Sequence, residues 1–215
     1  MSEIPVLSEK TIKQAAGEAV GAGVDIRTRV RDLTVAALQS RRLDREGVRE
    51  VVRAVIAGIG LGLEKPAGDT KAAVREALAG LDQALQASAE AAHLTLQQMS
   101  SHAQDFSAGE WQTAVDRLKQ LEEEFLATAR QAAEIAGTKA KGELIEAIRH
   151  LQRTGTDTGA RVAAILVALA NRLTMLGDDA RHSSGEAARE AANRLAALAS
   201  GILAGMSDAL HKKKD

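Results

Sequence analysis

The chain has 215 residues, a formal net charge of −1 and no cysteine or tyrosine; only 1% of it is aromatic, while 45% is hydrophobic, largely through alanine. The absence of cysteine excludes disulfides, thiolate zinc sites and cysteine nucleophiles. So few aromatic and β-branched side chains leave little material for strands, and an all-α fold is expected.

Charge is unevenly spread: residues 1–65 carry +2, residues 66–150 carry −5 and residues 151–215 carry +2. An acidic middle between mildly basic ends argues against nucleic-acid binding. The eight arginines between Arg27 and Arg53 are interleaved with Asp25, Asp32, Asp44, Glu46 and Glu50, the pattern of an ion-paired, solvated helix surface. Met1-Ser2-Glu3-Ile4-Pro5 lacks the basic patch and long apolar run of a signal peptide, so a cytoplasmic protein is expected. The longest apolar runs, Val162 to Ala170 and Ala54 to Leu63, are shorter than the roughly 20 residues a bilayer requires, and neither is expected to span one.

In chain order, Leu7-Ser8 opens a first helix with Ile12 at the staple position, and Gly21 and Gly23 weaken or end it. A second helix runs from about Asp25 to Gln39. The third follows Leu43-Asp44, with Val48 as its staple, and continues through Val51, Val52, Val55, Ile56 and Ile59 to Leu63. Its end alternates Gly58, Gly60 and Gly62 with large aliphatics. The spacing is not Gly-x-Gly-x-x-Gly and no strand precedes it, so the glycines suit close helix packing, a frayed end or an apolar inserting segment rather than a phosphate loop.

Pro66-Ala67-Gly68-Asp69 marks a boundary. A fourth helix runs from near Asp69 to about Asp105, and Phe106-Ser107-Ala108-Gly109-Glu110-Trp111 then forms a corner. Ser107 and Glu110 have capping-box spacing, and Phe106 and Trp111 have staple spacing. From here one apolar face continues through Trp111, Val115, Leu118, Leu121, Phe125, Ala129, Ala132, Ala136, Ala140, Leu144, Ile148 and Leu151. It covers 40 residues in 11 steps, or 3.64 per step, which predicts a straight helix over 106–151 rather than a heptad coiled coil. A short corner favours antiparallel neighbours, so the fourth and fifth helices are expected to form a long hairpin. Trp111, Val115, Leu118, Phe125, Ala129, Ala132, Ala136 and Ala140 are its expected interaction face.

Thr154-Gly155-Thr156-Asp157-Thr158-Gly159 suits a turn and a cap. A sixth helix, about Ala160 to Leu176, is apolar nearly all round and is expected at the buried centre. Ser183-Ser184-Gly185-Glu186 offers a second capping box before a last helix carrying Leu195, Leu198, Ile202, Met206 and Leu210. The expectation is an all-α bundle of six or seven helices: N-terminal helices at 1–65, the long hairpin at 66–153 and C-terminal helices at 154–215, packed as one structural unit.

Candidate chemistry is sparse. A carboxylate-bridged dimetal site in a bundle needs two Glu-x-x-His pairs and two further glutamates, and only Glu90-Ala91-Ala92-His93 has that spacing. Asp178, Asp179 and His182 suit a turn better than a metal. The serines that stand out have capping positions, so no nucleophile is assigned. The chain reads as a non-enzyme without metal, cofactor or catalytic residues.

The alanine-rich faces from Ala84 to Ala103 and from Ala129 to Ala140, with their glutamine-rich flanks, resemble those of the phasins, which coat bacterial polyester granules with amphipathic helices. The likeness covers roughly residues 69–151 and carries over no functional residue. The capped last helices and the apolar sixth helix also resemble uncharacterised all-helical bacterial proteins, which implies no activity. The phasin resemblance implies a non-catalytic protein bound to an apolar granule or membrane surface. The other expectation is a self-associating scaffold, whose stripes bury against another copy or a helical partner.

Overall fold

Side-chain caps decide where several helices of the computed structural model begin. Its described residues are 7–41, 44–64, 68–101, 108–182, 190, 193, 195–197, 199 and 200. They form seven α-helices and no strand: α1 Glu9–Ala22, α2 Ile26–Gln39, α3 Arg45–Leu63, α4 Thr70–Ser101, α5 Ala108–Glu134, α6 Thr138–Thr154 and α7 Asp157–His182. Ser8 Oγ accepts the Thr11 N–H at 3.1 Å, Asp44 accepts that of Gly47 at 2.9 Å, and Asp69 accepts those of Lys71 and Ala72 at 2.9 and 3.1 Å. Each satisfies backbone donors that a helix start otherwise leaves open. Gly23, at φ 70°, ends α1 in the left-handed conformation that glycine adopts without penalty.

The chain divides into two compact units, Met1–Ser88 with Gln120–Gly159, and Ala89–Lys119 with Ala160–Asp215. In the first unit α3 is the buried centre: Val51, Val52, Val55, Ile56 and Ile59 have no exposed surface. Glycine lets α1 lie close against it. A Cβ on Gly58 would stand 2.6 Å from Ala16 Cβ and press into the Lys13 carbonyl, and one on Gly62 would stand 2.6 Å from the Gly17 carbonyl oxygen. Gly80 of α4 meets the Arg27 backbone of α2 in the same way. Phe125, Ala129, Ala132, Ala133, Ala140, Leu144 and Ile148 complete this core.

The helix expected over 106–151 is two helices. α5 ends at Glu134, the Ala136 N–H turns back to Ala133 O, and α6 starts at Gly137, whose carbonyl accepts from Ala140 and Lys141. Lys141 bridges the break, its Nζ 3.0 Å from Glu134 O and 2.8 Å from Glu134 Oε2. In the sequence the apolar spacing runs on across the break, since Ala136 and Ala140 are four residues apart, and Ala132 and Ala140 on either side are both buried. Ile135, which is not part of the stripe, is 78% exposed at the break. Phe106 and Ser107 of the expected corner lie outside the described residues, as does the second capping box at 183–186. Glu110 stands exposed in the first turn of α5, and Trp111 is buried.

In the second unit α7 is two-sided rather than central. Val162, Ile165, Leu166, Leu169, Ala170 and Leu173 are buried, whereas Ala163, Ala164, Val167, Ala168 and Met175 are exposed. A composition that is apolar all round does not say how many sides are covered. Ala89, Leu96, Trp111, Val115, Leu118, Leu195 and Ala199 are also buried among the described residues of this unit.

The glycines of α3 give a test internal to one run. Gly58→Ala and Gly62→Ala should each lose about 1–3 kcal/mol through overpacking. Gly60→Ala, whose Cβ would meet Ala136 Cβ at an ordinary 3.5 Å, should be neutral or gain about 0.5–1 kcal/mol from the helical preference of alanine. Urea unfolding of the three variants measures the contrast.

Candidate functional site

The polar stretch at 154–159 caps a helix, and its partners come from far away in the sequence. Gly155, at φ 89°, ends α6 with its N–H on Leu151 O at 2.8 Å. Thr156 caps α7: its Oγ accepts the Gly159 N–H at 2.8 Å, and its hydroxyl donates to Glu122 Oε1 at 2.8 Å. Asp82 of α4 is buried and accepts the N–H groups of Asp157 at 2.8 Å and Thr158 at 3.1 Å. The Thr158 hydroxyl returns a bond to Asp82 O at 2.9 Å. A carboxylate at a helix start is favoured by the dipole and by the open donors. Burial nevertheless pushes the Asp82 carboxyl above its ordinary value, against the opposing pull of the hydrogen bonds from Thr158 and Asp157.

Beside this joint a cleft of about 550 Å³ opens in the first unit, lined by α4, α6, Arg27 of α2 and the start of α7. Two contacts fix how its walls align. Lys71 Nζ lies 3.8 Å from Glu146 Oε1, and Asp82 binds the backbone of Asp157. Both pairs are 75 residues apart, so the two walls run in the same direction and Arg75 stands level with His150. Leu78, Ala79, Ala147 and Leu151 form the apolar part of the lining. Arg27 pairs with Glu76 at 2.9 Å, whereas Arg75, His150 and Arg153 have no ion-pair partner among the described residues. Elsewhere in this unit the buried Glu124 lies between Arg45 and Arg49, with Arg49 Nε 2.6 Å away. The basic run of 27–53 thus supplies helix-to-helix ion pairs and one residue of the cleft lining, Arg27.

The expected interaction face lies inside the molecule. Trp111, Val115 and Leu118 are buried in the second unit; Phe125, Ala129, Ala132 and Ala140 are buried in the first, and Ala136 is half-buried. The stripe is a packing surface because this chain's own helices cover it; Gly60 approaches Ala136 through the room that alanine leaves. The exposed apolar side chains of helices α4 and α7 in the second unit are instead Leu94, Val167 and Met175.

Glu90 of the lone Glu-x-x-His pair is engaged by Arg161, whose Nε donates to Glu90 Oε2 at 2.5 Å. The Arg161 guanidinium holds the Glu90 carboxyl below its ordinary range. His93 Nδ1 lies 3.8 Å from the other carboxylate oxygen, beyond hydrogen-bond reach. Asp178 and Asp179 are exposed on the last turns of α7, and no group of three or more histidines and carboxylates that would hold a metal ion occurs among the described residues.

Asp82 and the cations of the cleft are the functional candidates that sequence periodicity does not find. The available signal is an acid set beside the apolar positions Leu78, Leu81 and Leu85. Asp82→Ala leaves two N–H groups of α7 without their acceptor and should destabilise by about 1–3 kcal/mol. Because its folded pKa is raised, the contribution of Asp82 to stability falls as pH rises from the ordinary aspartate range through the folded value. Urea unfolding as a function of pH should show that slope, and Asp82→Asn should remove it.

No curated protein and no solved structure matches the chain. Residues 3–212 match a family of unknown function, DUF6781, and the chain belongs to that family.

Proposed function

We propose that this is a non-catalytic helical protein that attaches, in the cytoplasm, to an apolar surface such as a storage granule or a membrane, with α7 as its contact helix. The observation that carries the reading is the outer side of α7. Val167 is 41% and Met175 is 68% exposed, and Ala163, Ala164 and Ala168 lie exposed along the same side. Within Ala140–Asp179 there is also a stretch long and apolar enough to cross a membrane by length and composition, a third of it buried in the protein. Core helices of soluble proteins meet the same standard, and the packed inner side of α7 favours a helix lying on a surface over one passing through it. The resemblance to phasins supports the same class of partner, while burial of the Trp111–Ala140 stripe favours α7 over that stripe as the contact.

A second reading, self-association, is favoured by the small side chains of Ala163, Ala164 and Ala168, which would let a helix of another copy approach closely. Flotation with lipid vesicles and polyester particles, with sedimentation of the free protein, separates the two. Surface attachment predicts co-flotation of the wild type and at least a ten-fold loss for Val167→Glu/Met175→Glu, with the melting temperature retained. A stable dimer that ignores both surfaces and dissociates in the double variant would replace this reading with self-association.

A further inference from the structure

We propose that the cleft between α4 and α6 binds a small organic anion with an apolar body, a medium-chain carboxylate being the class that fits it. The ends of the cleft are closed by groups already engaged with each other: Lys71 with Glu146 at one end, and Asp82 with the first N–H groups of α7 at the other. Between them stand Arg75 and Arg153, neither ion-paired with any described residue, together with His150. The two other acids that line the cleft also lie towards its ends: Glu143 is one helical turn beyond Glu146, and Asp157 is beside Asp82. The middle is therefore cationic, and the two arginines offer the planar, multiply donating groups that recognise a carboxylate.

The apolar part of the lining narrows the class. Ala79 on one wall and Ala147 and Leu151 on the other, all half-buried, would remain wet beneath a bare inorganic anion, whereas an aliphatic chain covers them. A nucleotide would bring a base that needs a stacking partner, and no phenylalanine, tyrosine or tryptophan lines the cleft, which leaves His150 as its one aromatic ring. A cationic amphiphile would meet Arg75 and Arg153 directly. The volume, about 550 Å³, lies within the range of small-molecule sites. The proposal does not depend on surface attachment by α7, because every lining residue belongs to the first unit.

The test is calorimetric titration of the full chain with octanoate, octylamine and inorganic phosphate. Saturable one-to-one binding of octanoate is expected, with octylamine and phosphate at least ten-fold weaker. Arg75→Ser and Arg153→Ser, both at exposed positions, should each weaken octanoate at least ten-fold without changing the melting temperature. Val167→Glu/Met175→Glu should bind octanoate as the wild type does, which separates the cleft from the α7 surface. Equal binding of octanoate and octylamine, tighter binding of phosphate, no saturable octanoate binding, or unchanged affinity in both arginine variants would overturn the proposal.

Discussion

The joint at the start of α7 depends on one buried carboxylate. Asp82 leaves water to accept two backbone N–H groups of a helix that begins 75 residues later in the chain. Removing a carboxylate from water is expensive, and only full hydrogen bonding makes such a position tolerable. The same contact aligns α4 with α6 and closes one end of the cleft between them. Thr156 and Glu122 add a second tie from α5, so the first turn of α7 is held by side chains of two other helices.

Around this joint the first unit is built on close backbone approach. Gly58 and Gly62 admit α1 to the surface of α3, Gly80 admits α2 to α4, and alanine leaves room at Ala136. Small residues bury little area individually, but they let large aliphatics such as Ile12, Ile56 and Ile59 be fully covered with Phe125 as the one aromatic side chain among the described residues of that core. The second unit differs in that one whole side of α7 stays open. Packing thus separates two surfaces of distinct character: a charged cleft with an apolar floor, and a helix side that exposes aliphatic residues together with Asn171, Thr174 and Asp178.

Much of the fold was legible from short-range signals. The caps at Ser8, Asp44 and Asp69 act within three residues, and each marks the helix start expected of it. The break at Ile135-Ala136-Gly137 was hidden because the apolar spacing runs on across it in the sequence; Gly137 alone hinted at it. The stripe from Trp111 to Ala140 was visible as a face, but periodicity does not say whether a face meets solvent, a partner or the chain's own helices. The opposite error occurred at α7, where uniform hydrophobicity suggested a centre and the structure covers one side. Asp82 and the pair Arg75 and His150 were beyond reach for a further reason: their significance comes from neighbours 75 residues away.

The stripe and the outer side of α7 are therefore rival contact surfaces for an apolar particle. If the bundle opens on the particle, the stripe transfers from its own chain to the surface; if α7 does the work, the cores remain closed. Hydroxyl-radical footprinting of the protein, free and bound to polyester or lipid particles, distinguishes these directly. Contact through α7 predicts that labelling of Met175 falls on binding while Trp111 and Phe125 stay protected in both states. Rising labelling of Trp111 or Phe125 with Met175 unchanged would contradict it.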